Sequence, residues 1–165
     1  MAGRVTSPEL FSALREPAEG ELAPVFSPLA EPRFGLGLET IYEGYLVHYG
    51  TPRAFEPADS DAALVLGDYL YAQGLARIAS LGEVAAVSDL AELISLCSQV
   101  QGERRPGDGP AWAATAALLG RRRLEEARSA LAKHSDPAPL DRLAREAAGD
   151  DAVDRGLAAH ALLLG

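Results

Sequence analysis

The sequence predicts an all-α protein, a single bundle of helices, on three observations. From Leu36 onward, apolar residues recur at the three-to-four spacing of a helix face through most of the chain. No β-branched run alternates long enough to make a strand. The helical segments are separated by clusters of Pro and Gly, which stop helices. A chain of 165 residues is the size of one ordinary domain.

The elements follow in order. Five prolines between Pro8 and Pro32, with Gly20 and acidic residues among them, make residues 1–33 a proline-rich arm, extended or loose, with one short helix at Glu9 to Arg15. Residues 34–165 form the helical domain. Leu36, Leu38, Ile41, Tyr45, Leu46 and His48 share one face of a first helix, and Pro52 and Pro57 force a loop after it. Asp59 or Ser60 caps a second helix whose residues Ala62 to Ser80 are apolar almost all round, the pattern of a helix buried on every side. Gly82 ends it. Glu83 to Gln101 form a third helix, with Val84, Val87, Leu90, Leu93, Ile94, Cys97 and Val100 on its apolar face.

The segment E-R-R-P-G-D-G-P at 103–110 is a surface loop. Beyond it, Ala111 to Lys133 are expected as one helix, on which Arg121 to Arg123 pair with Glu125 and Glu126 as a solvated face. Asp136 caps a helix starting at Pro137 or Pro139, and Asp150 caps the last one. No self-similarity at repeat-protein periods is present, so a solenoid is not expected.

Composition narrows the function classes. Fifteen basic against 24 acidic residues give a formal charge of −9, which disfavours nucleic acid as a partner, since phosphate binding depends on Lys and Arg. Cys97 is the only cysteine and can form no intramolecular disulfide, which fits a reducing compartment; the expected location is cytoplasmic. No apolar run approaches the roughly 20 residues of a membrane span, and the N-terminus lacks a secretion pattern.

Few residues suggest chemistry on their own. Asp68 lies within the most apolar helix, so it is expected to be buried and paired with Arg77 or Arg53. His48, between Tyr45 and Tyr49, reads as a packed, hydrogen-bonded histidine. His134 closes a helix and His160 stands alone. The three histidines share no ligand spacing, and Cys97 has no companion for a zinc site. Neither a phosphate-cradling loop nor a serine in a nucleophile setting is present.

Three stretches carry a resemblance. E-T-I-Y-E-G-Y-L-V-H at 39–48, A-L-V-L-G-D-Y-L-Y-A-Q-G-L at 63–75 and Q-V-Q-G-E at 99–103 together resemble the trans-isoprenyl (polyprenyl) diphosphate synthases. The resemblance implies a bundle like the core of the isoprenoid synthase fold. In that family the histidine ending the first of these helices is followed by aspartates that hold magnesium against a diphosphate. Here Tyr49-Gly50-Thr51-Pro52-Arg53 follow His48, and none offers the hard carboxylate oxygen that magnesium needs. What the resemblance then implies is a scaffold without its metal ligands. Such a chain would be a non-catalytic dimeric or small regulatory subunit in isoprenoid biosynthesis, without a cofactor. It would pair with a second copy or with a full-length prenyl synthase, and an isoprenoid-like apolar ligand would contact Tyr45, His48, Tyr49, Arg53 and Asp68.

An alternative rests on D-D-A-V-D, where Asp150, Asp151 and Asp154 would serve a magnesium-dependent prenyltransferase. The same aspartates also suit the cap and first turn of the last helix, whose dipole favours acids there. A third reading is a small helical adaptor unrelated to the synthases.

Overall fold

One helix is wrapped by the rest of the chain, and it is not the one expected to be buried on every side. The computed structural model describes residues 13–165 and, among them, all regular structure is helical. Seven α-helices follow two short 3-10 turns at Ser27–Leu29 and Pro32–Phe34. They are α1 (Gly35–Tyr49), α2 (Ser60–Ser80), α3 (Val84–Gly102), α4 (Asp108–Ala117), α5 (Glu125–His134), α6 (Ala138–Ala148) and α7 (Asp150–Leu164). The all-α expectation holds, and no helix among the described residues is long and apolar enough to cross a membrane.

Every residue of α1 from Gly37 to Val47 is buried. Helix α2, expected to be buried on all sides, buries only Leu66, Gly67, Leu70, Gly74 and Ile78, and leaves Leu64 57% and Val65 38% exposed. The reversal has a physical reason. Much of the outward stripe of α2 is alanine, which favours helix and tolerates water, whereas the acids of α1 can be buried because the structure supplies them with partners.

Glycines set how closely α1 and α2 approach. A Cβ on Gly74 would lie 2.8 Å from the Gly37 carbonyl oxygen and 3.0 Å from the Ile41 nitrogen, and one on Gly44 would lie 2.9 Å from the Gly67 carbonyl oxygen. Gly37 thus faces Gly74 and Gly44 faces Gly67, two matched pairs seven residues apart on antiparallel helices. Only residues without a side chain permit backbones this close.

Residues 22–29 of the arm pack into the core. Leu22, Val25, Phe26 and Leu29 are buried, and Phe26 lies in an aromatic cluster with Trp112, Tyr42 and Tyr45. The Trp112 ring centroid is 4.9 Å from that of Tyr42 and 5.5 Å from that of Tyr45, both edge-on. Such pairs add stability beyond their buried area. Of the short helix expected at Glu9 to Arg15, Glu9–Phe11 and Ser12 lie outside the described residues, and only Ala13 of the remainder is helical.

The single helix expected from Ala111 to Lys133 is two. Helix α4 ends at Ala117, the chain turns through Gly120 (φ 79°) and Arg122 (φ 55°), and α5 starts at Glu125. A continuous helix would set Leu119 and Leu124 about 140° apart around its axis, so it could not bury both on one face. The turn places both in the core. As a result Arg121 to Arg123 sit on a loop rather than on a helix face.

One cap residue is as expected: the Asp59 carboxylate accepts the Ala62 N–H at 2.8 Å. Pro137 occupies the cap position of α6, and Asp136, one residue before it, accepts the Ala138 N–H at 3.0 Å. Asp150 differs: Gly149 occupies the cap position of α7, and the Asp150 side chain caps nothing.

Candidate functional site

The polar chemistry of the molecule converges on α1. Glu39 and Glu43, one helical turn apart, both face Arg53, which Pro52 and the following loop bring back against the helix. Arg53 Nη1 donates to Glu39 Oε2 at 2.7 Å and its Nε donates to Glu43 Oε2 at 2.9 Å. The guanidinium also donates to the carbonyls of Ala23 and Glu39. Glu39 Oε1 accepts three successive backbone N–H groups, those of Val25, Phe26 and Ser27, at 2.8 to 3.0 Å. Glu43 Oε1 accepts the N–H groups of Arg53 and Ala54 at 2.7 and 2.9 Å. Three buried charges are therefore fully hydrogen-bonded, the condition under which burial of charge is tolerable. The irregular backbone at 23–27 and 53–54 finds its partners in the same cluster.

A neighbouring face of α1 carries a second chain of polar groups. Asp108 Oδ2, in the first turn of α4, lies 2.6 Å from the Tyr45 hydroxyl and 2.9 Å from His160 Nε2, while His160 Nδ1 lies 2.8 Å from the Tyr42 hydroxyl. The Gln101 amide donates to the Tyr45 oxygen at 2.7 Å. A carboxylate can only accept, so His160 Nε2 donates to Asp108, and Nδ1 of the neutral ring accepts from Tyr42. Burial pushes the Tyr42 and Tyr45 hydroxyls well above the ordinary tyrosine range, so both remain neutral donors. Burial acts to raise Asp108 as well, but the hydrogen bonds from His160, Tyr45 and the Gly109 N–H outweigh it and hold the carboxyl below its ordinary value. The Arg53 guanidinium lies over the Tyr42 ring at 5.1 Å, which joins the two clusters.

Tyr42, His160 and Asp108 share the order of an acid–base relay, in which a carboxylate orients a histidine that takes a hydroxyl proton. Tyr42 is completely buried, however, and the main surface clefts are lined by other residues. The relay acts inside the protein, where it pins α7 and α4 to α1. Cys97 is buried and free, and burial pushes its thiol far above the usual range, which makes it unreactive.

The residues singled out from sequence fall into separate places. Tyr45 and Arg53 are buried and satisfied within the two clusters. His48 and Tyr49 lie at the surface end of α1, with their ring centroids 5.7 Å apart. Asp68 is not buried: its side chain is 69% exposed, and its partner is neither Arg77 nor Arg53 but His48 Nε2, at 3.1 Å. The His48 imidazole lies against Gly67, where a Cβ would come within 2.4 Å of the ring nitrogen. Asp150 and Asp154 both face Arg145, at 3.4 and 2.9 Å. Among the described residues, no group of three or more His, Cys, Asp or Glu side chains is placed to hold a metal ion.

The buried roles of Glu39, Glu43 and His160 were missed in the sequence. One signal was present: two acids a turn apart in an apolar helix require a cation, and Arg53 is the only Lys or Arg between Arg33 and Arg77. His160 offered no such signal, because both its partners are more than 50 residues away.

Comparison of the chain with family models, curated proteins and solved structures gives no match.

Proposed function

We propose that this chain is a non-catalytic helical subunit that assembles through the outward face of α2, with a second copy or with a full-length prenyl diphosphate synthase. The observation that carries the reading is that face. Val65, Ala72, Ala76 and Ala79 form a solvent-exposed stripe along α2, with Leu64 beside it and Asp61 and Asp68 as its only charges. Small side chains let a second helix approach closely, and exposed Leu and Val supply apolar area to bury. The resemblance to trans-isoprenyl synthases supports the same surface, since in that family the helix with the Gly-Asp signature, matched here by residues 63–75, and the one after it form much of the subunit interface. The groups that could do chemistry are also engaged with one another, as in the Arg53 and Asp108 clusters.

Light scattering on the full chain tests the reading. The wild type is expected to run as a dimer, or to co-purify with a co-expressed trans-isoprenyl synthase, and the Leu64→Glu/Val65→Glu variant is expected to do neither. A wild type that stays monomeric and captures no synthase would overturn it. So would a rise in melting temperature with magnesium and farnesyl diphosphate that Asp150→Asn/Asp154→Asn abolishes, because ligand binding to the native state must stabilise it.

A further inference from the structure

The turn between α4 and α5 carries Arg121, Arg122 and Arg123, all exposed, on a chain of net charge −9. Two ordinary explanations for adjacent arginines fail here. They do not pair with the acids that follow them: among the described residues, their only carboxylate within 4.0 Å is Glu31, 3.9 Å from Arg121. Nor do their side chains cap α4. The Ala114 and Leu118 carbonyls there are met by backbone, from the Leu118 N–H and the Arg121 N–H, each at 3.0 Å.

The turn is firmly held. Leu118, Leu119 and Leu124 anchor it in the core, and the Gly120 N–H donates to Asp89 Oδ2 at 2.8 Å. Asp89 is itself fixed by Arg128 at 3.2 Å. Arg122 adopts the left-handed conformation, unfavourable for an arginine and maintained by these anchors. Three guanidinium groups are thus presented from a pre-shaped turn. A cleft opens on each side of it. One, of about 310 Å³, lies against α6 and combines Arg121 and Arg123 with Leu143 and a single acid, Glu146; the other, of about 400 Å³, lies against α3 and combines Arg122 and Arg128 with Asp89, Glu125 and Val84, which is 76% exposed.

The geometry points to a docking site for an acidic segment of a partner protein, one that alternates carboxylates with apolar side chains. Guanidinium forks match carboxylates in a bidentate manner, and a rigid turn loses little freedom on binding them. The apolar side chains of the segment fit against Val84 and Leu143. The apolar side chain beside the guanidinium groups in each cleft favours a peptide with apolar residues over a phosphate backbone. The site is separate from the α2 stripe and does not depend on it.

The test uses the full chain and a short fluorescein-labelled peptide of alternating Glu and Leu, read by fluorescence anisotropy. Saturable binding that weakens as salt rises is expected, because the pairs are exposed and screened. Arg121→Glu/Arg122→Glu/Arg123→Glu should abolish binding. Arg104→Glu/Lys133→Glu/Arg155→Glu, which changes net charge by the same amount elsewhere, should retain it. Thermal melts check that both variants fold, and Arg→Gln at the same three positions replaces the first if it does not. Failure of the wild type to bind, an equal loss in both variants, or tighter binding of a labelled single-stranded oligonucleotide would each overturn the proposal.

Discussion

The two polar clusters on α1 do the same mechanical job by opposite means. The first is made of full charges, Glu39, Arg53 and Glu43, and its contacts span 10 to 14 residues of sequence or connect Arg53 to Ala23 across 30. The second relies on hydroxyls, an amide and an imidazole around one carboxylate, and joins residues 52 to 118 apart. A buried charge needs a complete ring of partners, most readily supplied by nearby backbone whose position is fixed by the same helix. A neutral hydroxyl tolerates a less complete shell, so it suits the joint where α4 and α7 meet α1 from far along the chain. The charged cluster shapes one neighbourhood; the other, neutral apart from the Asp108 carboxylate, closes the fold.

The largest expected effect comes from removing the cation of the first cluster. Arg53→Met leaves two buried carboxylates without their counter-charge and should destabilise the protein by about 3–5 kcal/mol in urea unfolding. Adding Glu39→Gln and Glu43→Gln to it should restore part of that loss, because the uncompensated charges are then gone. If Arg53→Met is no worse than a change in the neutral cluster, the distinction between the two fails.

In the neutral cluster, His160→Phe keeps a ring in the site but removes the partner of both Tyr42 and Asp108. A loss of about 1–3 kcal/mol is expected. Its location should also differ. Amides of α7 should exchange hydrogen faster in His160→Phe, while those of Val25 to Ser27, which donate to Glu39, should be the ones affected in Arg53→Met. Equal loosening of both segments by both variants would mean that the clusters form one cooperative unit.

The same contrast explains what could be read from the sequence. Helix period and Pro–Gly punctuation located α1, α2, α3, α6 and α7, because both are local properties of the chain. The break after Ala117 was missed because residues 118–124 keep a helix-like composition, and only the joint burial of Leu119 and Leu124 requires a turn. The ranking of α1 and α2 failed for a related reason. The long alanine-rich run of α2 reads as buried on every side, whereas burial was decided by the facing glycines and by the charge balance at Arg53. Tyr45 and Arg53 were recognised as unusual, but each is satisfied by partners that no local pattern specifies. Asp68 was expected inside because its helix is apolar, and it lies outside because the stripe it belongs to faces water.

Acid titration separates the clusters most finely, with the smallest effect. In the folded protein Asp108 is held below its ordinary value, so its contribution to stability is fully present above the unfolded value of about 3.9 and is lost as pH falls through the folded one. Glu21 is also lowered, to about 2, by its hydrogen bonds from Arg15 and the Ala18 N–H, but it is unchanged in any Asp108 variant and cancels from the comparison. Asp108→Asn should therefore be less stable than wild type near neutral pH, and the gap should narrow as pH drops below about 4, by no more than about 1.4 kcal/mol per pH unit for one proton. Urea unfolding at a series of pH values gives that gap directly. A gap constant through acid would mean that the Asp108 carboxylate is worth no more to the fold charged than protonated, and that the joint is held by the shape of its rings rather than by its hydrogen bonds.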